Sequence, residues 1–360
     1  MLPISVCIIA KDEEQYIGEC LRRLVKYSWE IIVVDTGSTD RTVEIALTYT
    51  PNVFHFDWIG DFSAARNYSI SKAHNDYILV VDCDEYLENS DLTEETLRNL
   101  PRLVSPKQVG MLCLRNISPG LSDALTESSD VIHEHVARFF HRGHTYYQGS
   151  IHEQLVSREK DALSFVSLPI CFYHAGYSTE EIKAAKAARN IAMLKDSLHA
   201  NGADPYLYFQ LGQSYFGIAD YKNALPYFEK ALSMEVNEWE AYVQTLVESY
   251  GYCLLYLEKY EQALQLEGVY SIFSKRSDFV FLMGLIYMNN AMFEQAIAAF
   301  RHATSIQSYT VEGVNSYKAF YNIGVIYECM GNIPEAMTYY RKCGKYSPAL
   351  HRLAIHQSQL

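Results

Sequence analysis

The second half of the chain contains an internal repeat in which a glycine is followed twelve positions later by an alanine. Internal repeats of this kind, without the alternating pattern of strands, are typical of stacked helical hairpins. Each hairpin can bury its apolar face only against a neighbour. After about residue 178, Ala, Leu, Tyr, Glu and Lys recur at helical spacing. We therefore predict an all-helical superhelix of about four units over 204–360, aligned on Gly212/Ala224, Gly251/Ala263, Gly284/Ala296 and Gly324/Ala336.

Aromatic and small residues recur at fixed distances from these glycines. In the first unit they are Tyr215, Phe228 and Ala231, and the third and fourth units follow the same pattern. The second unit departs from it, with Leu254 and Glu267 in place of the aromatics. This arrangement resembles the tetratricopeptide repeat. The resemblance implies a groove that binds a polypeptide, and it leaves oligomerisation open.

The first half follows a different pattern, in which short apolar runs alternate with amphipathic stretches. Alternation of this kind predicts β-α-β units on a mostly parallel, Rossmann-like sheet. We place this domain at 1–178, with a connecting and capping helix at 179–203. The predicted strands are Ile4–Ala10, Ile31–Asp35, Val53–Phe56, Tyr77–Asp82 and, as antiparallel or irregular additions, Val109–Ile117, Val136–Phe140, Tyr146–Gly149 and Phe165–His174.

The charge and cysteine content limit the partners and the compartment. The 43 acidic and 30 basic residues give a net charge of −13, and residues 1–178 hold 25 of the acidic but only 15 of the basic ones. Nucleic acid is therefore an unlikely partner, because a phosphate backbone is repelled by such a surface. The eight cysteines are scattered singly, and no apolar run reaches the length of a membrane span. We expect a cytoplasmic protein without a transmembrane segment.

Two aspartates, Asp82 and Asp84, follow an apolar strand and are separated by one residue. Ligands of open α/β sheets bind at the carboxyl ends of the strands. If the segment is extended, both carboxylates project from one side, where they can share a hard divalent cation. The pattern alone is also that of a solvated turn, and this alternative stays open until other residues are considered.

Those other residues come from several segments in order along the chain. The motifs are the run from Ile4 to Glu14, the segment Ile31–Thr42, Arg66-Asn67 and Asp82-Cys83-Asp84-Glu85. Together they resemble glycosyltransferase family 2 over about residues 1–178. The resemblance implies the GT-A fold, a nucleoside-diphosphate sugar as donor, UDP foremost, and a bound Mn²⁺ or Mg²⁺ that offsets the charge of the leaving diphosphate.

The resemblance assigns a nucleotide-sugar site to the first half of the domain. It places Ala10 and Asp12 in the nucleotide pocket, Asp35 at the base or ribose, Arg66 at the diphosphate, and Asp82 at the ribose or the metal. Asp35 has an alternative role as the cap of the turn at Gly37, and Arg66 has one as a surface ion pair.

The remaining site residues follow later in the domain. The resemblance makes Glu153 the base that deprotonates the acceptor. It gives the metal to Asp82, Asp84 and His174, with His152 as a competing ligand. This chain has His-Glu where many relatives have Glu-Asp, so Glu153 alternatively orients His152 or Arg138. His174 is alternatively a hydrogen-bonded core histidine.

These residues predict an inverting, metal-dependent glycosyltransferase. Its two halves resemble bacterial enzymes that glycosylate peptides or proteins, which favours a Ser, Thr or Cys side chain as acceptor and implies a hexosyl- or N-acetylhexosaminyl-transferase. Two alternatives are a transferase acting on a cell-envelope or lipid-linked oligosaccharide and an inactive repeat scaffold. The presence of the acidic pair, Arg66 and Glu153 in one chain argues against the scaffold.

Overall fold

A computed structural model describes residues 2–88, 92–119, 129–175 and 180–357 of this protein. These residues form two compact units, one of Met1–Asn116 with His133–Lys183 and the other of Ile117–Ile132 with Ala184–Leu360. The predicted boundary at 178 falls on residues 176–179, outside the described ranges. Of residues 117–132, which belong to the predicted first domain, 117–119 and 129–132 are described, and they group with the helical unit.

The first unit alternates strands and helices, as the apolar runs predicted. Its strands are β1 (Ile4–Ala10), β2 (Glu30–Asp35), β3 (Val53–His55), β4 (Tyr77–Val80), β5 (Glu85–Glu88), β6 (Gln108–Pro119), β7 (Ser129–His141), β8 (Thr145–Gln148), β9 (Gln154–Ser157) and β10 (Ser164–His174). The helices that cross between these strands are α1 (Ile17–Leu24), α2 (Thr42–Leu47), α3 (Phe62–Ser71) and α4 (Glu94–Leu103).

Eight of these strands form one mixed sheet in the order β3-β2-β1-β4-β7-β6-β10-β5, and β8 and β9 form a separate hairpin. The pairs β3-β2, β2-β1, β1-β4 and β6-β10 are parallel, whereas β4-β7 and β10-β5 are antiparallel. The prediction of a mostly parallel sheet that finishes with antiparallel pieces is confirmed. Because β1, β2 and β4 are parallel, the loops that follow them meet at one edge.

Alternate residues of the strands bury apolar side chains on both faces of the sheet. On one face Ile4, Val6 and Ile8 of β1 pack against α1 through Leu21. On the other face Cys7 contacts a second cluster that includes Phe140. Burial on both faces explains why β1 is a continuous apolar run rather than an alternating one.

The second part of the chain is helical throughout its described residues. Its helices are α5 (Glu180–Asn201), α6 (Pro205–Phe216), α7 (Tyr221–Leu232), α8 (Ala241–Tyr256), α9 (Tyr260–Ala263), α10 (Tyr270–Phe273), α11 (Ser277–Asn289), α12 (Phe293–Ala303), α13 (Tyr317–Cys329), α14 (Ile333–Lys342) and α15 (Ser347–Gln357), with a 3₁₀ turn at Leu264–Val269. In the described ranges, we find no helix with the length and hydropathy that a membrane crossing requires.

The repeating glycines allow the two helices of a repeat to approach closely. A Cβ atom on Gly284 of α11 would lie 2.6 Å from the ring of Phe300 on α12. Gly324 meets Tyr340 in the same way, also at 2.6 Å. Only glycine fits beneath these rings, which explains the fixed spacing between glycine and aromatic residue in three of the repeats.

The second repeat departs from this packing, as its sequence predicted. Gly251 of α8 lies against Leu282 and Leu266 instead of an aromatic ring. Its second helix is broken into α9, the 3₁₀ turn and α10. The repeat with Glu267 at the aromatic position therefore lacks a continuous second helix.

Candidate active site

The loops at the carboxyl ends of β1 and β2 are joined to each other by hydrogen bonds. Asp12 adopts φ of +54°, and its carboxylate accepts a hydrogen bond of 2.7 Å from the Thr39 backbone N–H. Ala10 pairs with Asp35 in the sheet, and the Asp35 carboxylate accepts from Gly37 N–H at 3.1 Å. Asp35 thus shapes the turn after β2, the alternative role considered for it, and it lies at the same edge as Ala10 and Asp12.

The two aspartates after β4 lie in a tight turn and not in an extended segment. The turn is closed by a hydrogen bond of 3.0 Å from Glu85 N–H to the Asp82 carbonyl. The expectation that both carboxylates project from one side of an extended strand is therefore wrong. Asp82 contacts arginines, whereas Asp84 contacts His174.

Asp82 lies between two guanidinium groups. Arg66 Nη2 is 2.9 Å from one of its carboxylate oxygens, and Arg138 Nη2 is 2.8 Å from the other. Burial raises the pKa of Asp82, but Arg138 and Arg66 outweigh burial, so the net pKa lies well below its usual range. Asp82 is consequently ionised at any physiological pH.

Arg66 also contacts Glu153, through a short hydrogen bond from its Nε. The helix that carries Arg66 begins at an N-cap, Asp61, whose carboxylate accepts from Ala64 N–H at 2.9 Å. Phe62 N–H donates to the Ser150 carbonyl at 2.9 Å, which fixes the start of α3 against the loop before Glu153. Arg66 is 7% exposed, so the surface ion pair considered for it does not describe its environment.

The adjacent residue, Asn67, anchors the same loop region. Its side chain donates to the Tyr147 carbonyl at 2.8 Å and accepts from the Tyr147 N–H at 3.0 Å. Burial raises the pKa of Tyr147 to about 12, so its hydroxyl remains protonated. The Arg66-Asn67 pair therefore connects α3 to both ends of the segment from β8 to Glu153.

Glu85 completes the cluster around Asp82. One carboxylate oxygen accepts from Asp82 N–H at 2.9 Å, and the other lies 3.1 Å from Arg138 Nη2. Burial raises the pKa of Glu85, and Arg138 opposes this effect only in part. Two arginines thus contact three carboxyl groups, those of Asp82, Glu85 and Glu153, within one buried cluster.

A second pair of predicted residues, Asp84 and His174, lies beside this cluster. His174 Nε2 is 3.3 Å from Asp84 Oδ2, and His174 Nδ1 is 2.8 Å from Asn116 Oδ1. In the described ranges, no three His, Cys, Asp or Glu side chains are grouped closely enough to hold a metal ion by themselves. The carboxylate and imidazole of this pair fit an open Mn²⁺ site in which substrate oxygens complete the coordination.

The other proposed metal ligand, His152, lies in the loop that leads to Glu153 and adopts φ of +49°. The histidine that lies 3.3 Å from Asp84 is His174. The structure therefore brings together Arg66, Asp82 and Glu153, and separately Asp84 and His174.

Sequence reasoning assigned no role to Asn116 or Tyr147 and named Arg138 only as an alternative partner of Glu153. These three residues lie on β6, β8 and β7. None of them belongs to a short motif, and each reaches the site only because distant strands become neighbours. Alternation along β7 could have identified Arg138, since a charged residue directly before Phe139 and Phe140 is unusual in a strand that is otherwise apolar there.

Comparisons with known proteins agree with both halves. Residues 5–97 match the model of glycosyl transferase family 2. Residues 205–235, 277–310 and 317–350 match the tetratricopeptide repeat model, which skips the broken second repeat. The family 2 match contains Ala10, Asp12, Asp35, Arg66, Asp82 and Asp84, whereas Glu153 and His174 lie beyond it.

Three curated relatives are similar to parts of this chain. A TPR repeat-containing protein of Synechococcus elongatus is 30% identical over 241 residues, which cover 64% of this chain and 57% of that protein. The SPbeta prophage-derived glycosyltransferase SunS of Bacillus subtilis is 26% identical over 253 residues, 68% of this chain and 57% of SunS. The lipopolysaccharide core biosynthesis glycosyltransferase LpsC of Rhizobium meliloti is 31% identical over 94 residues, 25% of this chain and 34% of LpsC.

The matches thus extend over little more than half of the first two relatives. The structure of this chain agrees with these matches. It has an α/β unit with an acidic turn after β4, and a helical unit built on glycine-aromatic pairs. This chain carries a glycosyl transferase family 2 domain followed by tetratricopeptide repeats.

Proposed function

We propose that this protein is an inverting, metal-dependent glycosyltransferase that moves a hexosyl or N-acetylhexosaminyl group from a UDP-sugar to a Ser, Thr or Cys side chain of a protein or peptide. The observation that carries the proposal is the double contact of Arg66 with Asp82 and Glu153. It brings the acidic turn of the family 2 motif and the proposed base to one guanidinium, at the edge where β1, β2 and β4 end.

Glu153 acts as the base in this proposal. Its carboxylate takes the proton of the acceptor hydroxyl or thiol as the acceptor oxygen or sulfur attacks the anomeric carbon. The bond from that carbon to the diphosphate oxygen breaks, and inversion follows because the attack comes from the opposite face. Arg66 orients the Glu153 carboxylate, and Asn67 fixes the backbone before it.

Asp84 and His174 would hold the metal ion, with Asp82 beside it as a contact to the ribose. A bound Mn²⁺ or Mg²⁺ supplies Lewis acidity that offsets the negative charge of the leaving diphosphate. Arg66 and Arg138 already neutralise Asp82. Asp84 lies 3.3 Å from His174, which offers an imidazole nitrogen as a second ligand, so Asp84 is the aspartate better suited to the metal.

The helical unit supports a polypeptide as acceptor. The first helices of successive repeats lie side by side, with Gln213 of α6 accepting from Ser249 of α8 at 3.3 Å. Glu248 of α8 lies 3.7 Å from Arg276, which directly precedes α11. Ser249 and Glu248 are buried, so these contacts hold neighbouring repeats together, and the support for a polypeptide comes from the repeat architecture, which generally presents a concave groove to one. The glycosyltransferase SunS is similar to 68% of this chain, so this similarity extends over parts of both halves.

The eight cysteines are free thiols, which supports a reducing compartment such as the cytoplasm. A second candidate acceptor is a cell-envelope oligosaccharide, favoured by the similarity to LpsC. That similarity covers only 25% of this chain, whereas the similarity to SunS covers 68%, so we prefer the polypeptide.

The proposal is tested with purified protein, Mn²⁺ and a panel of UDP-sugars. We expect binding in titration calorimetry, slow hydrolysis of one UDP-sugar, and a mass increase of one hexose or N-acetylhexosamine on an acceptor protein expressed with this enzyme. Asp84→Ala should abolish the hydrolysis. The matched control is Asp76→Ala, which removes an exposed carboxylate 3.3 Å from Arg142 and should leave hydrolysis unchanged. If no UDP-sugar binds and Asp84→Ala changes nothing, the enzymatic function is refuted.

A further inference from the structure

Four polar side chains form a row across neighbouring strands of the first unit. Glu134 lies on β7, Asn116 on β6, His174 on β10, and Asp84 directly before β5, in the order in which these strands stand in the sheet. His174 pairs with Asn116 in the parallel register of β6 and β10. The Ala175 N–H donates to the Asp84 carbonyl at 2.8 Å, which fixes the other end of the row.

The direction of the hydrogen bonds along the row follows from the donors and acceptors present. The Asn116 side chain is hydrogen-bonded to Glu134, whose pKa burial raises, and its amide oxygen lies 2.8 Å from His174 Nδ1. Because an amide oxygen only accepts, this contact requires a proton on Nδ1.

A neutral imidazole carries one proton, so Nε2 presents its lone pair. That nitrogen lies 3.3 Å from Asp84 Oδ2, and two acceptors at this distance repel each other. A cation bound between them removes the repulsion, since both are then ligands. The contact of Asn116 with His174 therefore selects the imidazole form that binds a metal beside Asp84.

We propose that Asn116 is a positioning residue that holds His174 as the Nδ1–H tautomer, with Nε2 directed to Asp84 and to the metal of the proposed donor site. This inference rests on the proposed function for the metal, but the tautomer itself does not depend on it. Groups bonded to the far nitrogen of a metal-binding histidine fix its tautomer and ring orientation, and their loss typically weakens metal affinity by about 10- to 100-fold.

The tautomer is measured by two-dimensional NMR of ¹⁵N-histidine-labelled protein at about pH 9, well above the usual histidine pKa of about 6.5. The signals of His174 are assigned by their loss in His174→Gln. We expect the Nδ1–H tautomer in the parent protein and a mixture of both tautomers in Asn116→Ala. An Nε2–H tautomer in the parent protein, or an unchanged Nδ1–H tautomer in Asn116→Ala, overturns the inference.

Mn²⁺ affinity, measured by calorimetry in the presence of UDP, provides the second readout. Asn116→Ala should bind Mn²⁺ about 10- to 100-fold more weakly. Asn116→Asp keeps an oxygen acceptor for Nδ1–H and should recover most of the affinity. The matched control is Asn52→Ala, which removes a bond of 3.3 Å to the Ile31 carbonyl in the same unit and should leave the affinity unchanged.

The two readouts separate the inference from the proposed function. Equal Mn²⁺ affinity in folded Asn116→Ala and the parent protein overturns the role of Asn116. A parent protein that binds no Mn²⁺ with UDP overturns the metal-dependent function, while the tautomer measurement still decides whether Asn116 positions His174.

Discussion

Arg66 Nη2 lies 2.9 Å from Asp82 Oδ1, so a buried guanidinium on α3 holds the first aspartate of the turn after β4. The same guanidinium donates through Nε to Glu153, 87 residues further along the chain. Arg66 thus organises the protein side of the site. In the described part of the chain, its Nη1 is buried without a hydrogen-bond acceptor, and the proposed function assigns this nitrogen to the diphosphate.

Replacing Arg66 should destabilise the first unit. In Arg66→Met, Asp82 and Glu153 lose a shared buried partner, and breaking such a pair costs about 3–5 kcal/mol. The measurement is urea unfolding followed by the fluorescence of Trp29 and Trp58, which lie in this unit.

The matched control for that variant is Arg41→Met, because Arg41 pairs with Glu44 at 2.9 Å while both side chains are about two-thirds exposed. Its cost should be far smaller, because solvent and salt screen an exposed ion pair. Equal destabilisation in the two variants would show that Arg66 contributes no more than a surface ion pair.

Glu153→Gln should separate binding from chemistry. Glutamine keeps an oxygen that accepts from Arg66 Nε, so fold and UDP-sugar binding should be retained. The variant loses the base, and transfer should fall by about 100- to 10,000-fold. Single-turnover transfer and calorimetry with the same UDP-sugar measure the two effects.

Glu159→Gln is the control for this charge change, since Glu159 is half exposed and pairs with Lys107 at the surface. It should transfer sugar at the parent rate. Undiminished transfer by Glu153→Gln would remove Glu153 as the base and leave its contact with Arg66 as a structural one.

The sequence predicted the sheet and the repeats because both depend on local periodicity. The run from Ile4 to Ala10 is apolar at every position except Ser5, and it forms β1 at the predicted bounds. Every repeating glycine lies on the first helix of a predicted hairpin. These features could be predicted because each depends on the burial of residues that are close together in the sequence.

The candidate site was only partly predictable, because its contacts depend on which strands become neighbours. Arg138 reaches Asp82 across 56 positions, since β7 lies antiparallel beside β4. The shape of the turn at Asp82 depends equally on Glu85, which accepts from the Asp82 N–H. A spacing of two residues does not distinguish this turn from an extended segment, which is why the predicted common direction of the two carboxylates was wrong.

The close contact of glycine and ring within a repeat can be tested at Gly284. In Gly284→Ala the new Cβ would lie 2.6 Å from Phe300, so the ring or the helix must shift. Overpacking of this kind costs about 1–3 kcal/mol, which urea unfolding followed by circular dichroism measures. Gly268→Ala is the control, because no atom lies within 4 Å of its new Cβ. We expect Gly268→Ala to be neutral or slightly stabilising, and equal losses in both variants would contradict the packing argument.

Glu248 should make the stability of the helical unit depend on pH. Burial raises its pKa to about 7, with Asp278 adding to the effect and Arg276 opposing it. The folded protein then binds a proton that the unfolded chain, with a glutamate pKa of 4.5, releases. Stability from this group is therefore fully present below about pH 4.5 and is lost as the pH rises towards 7, by up to about 3 kcal/mol.

Glu248→Gln removes this titration while keeping an oxygen for the bond from Gln244, which is 2.9 Å long. The difference in unfolding free energy between the parent protein and the variant should change by about 2–3 kcal/mol between about pH 5 and pH 8, in favour of the variant at the higher pH. The histidines and other carboxylates titrate in both proteins, so their contributions to the unfolding free energy cancel in this difference. A difference that stays constant over this range would mean that Arg276 keeps Glu248 ionised, and that burial does not control its protonation.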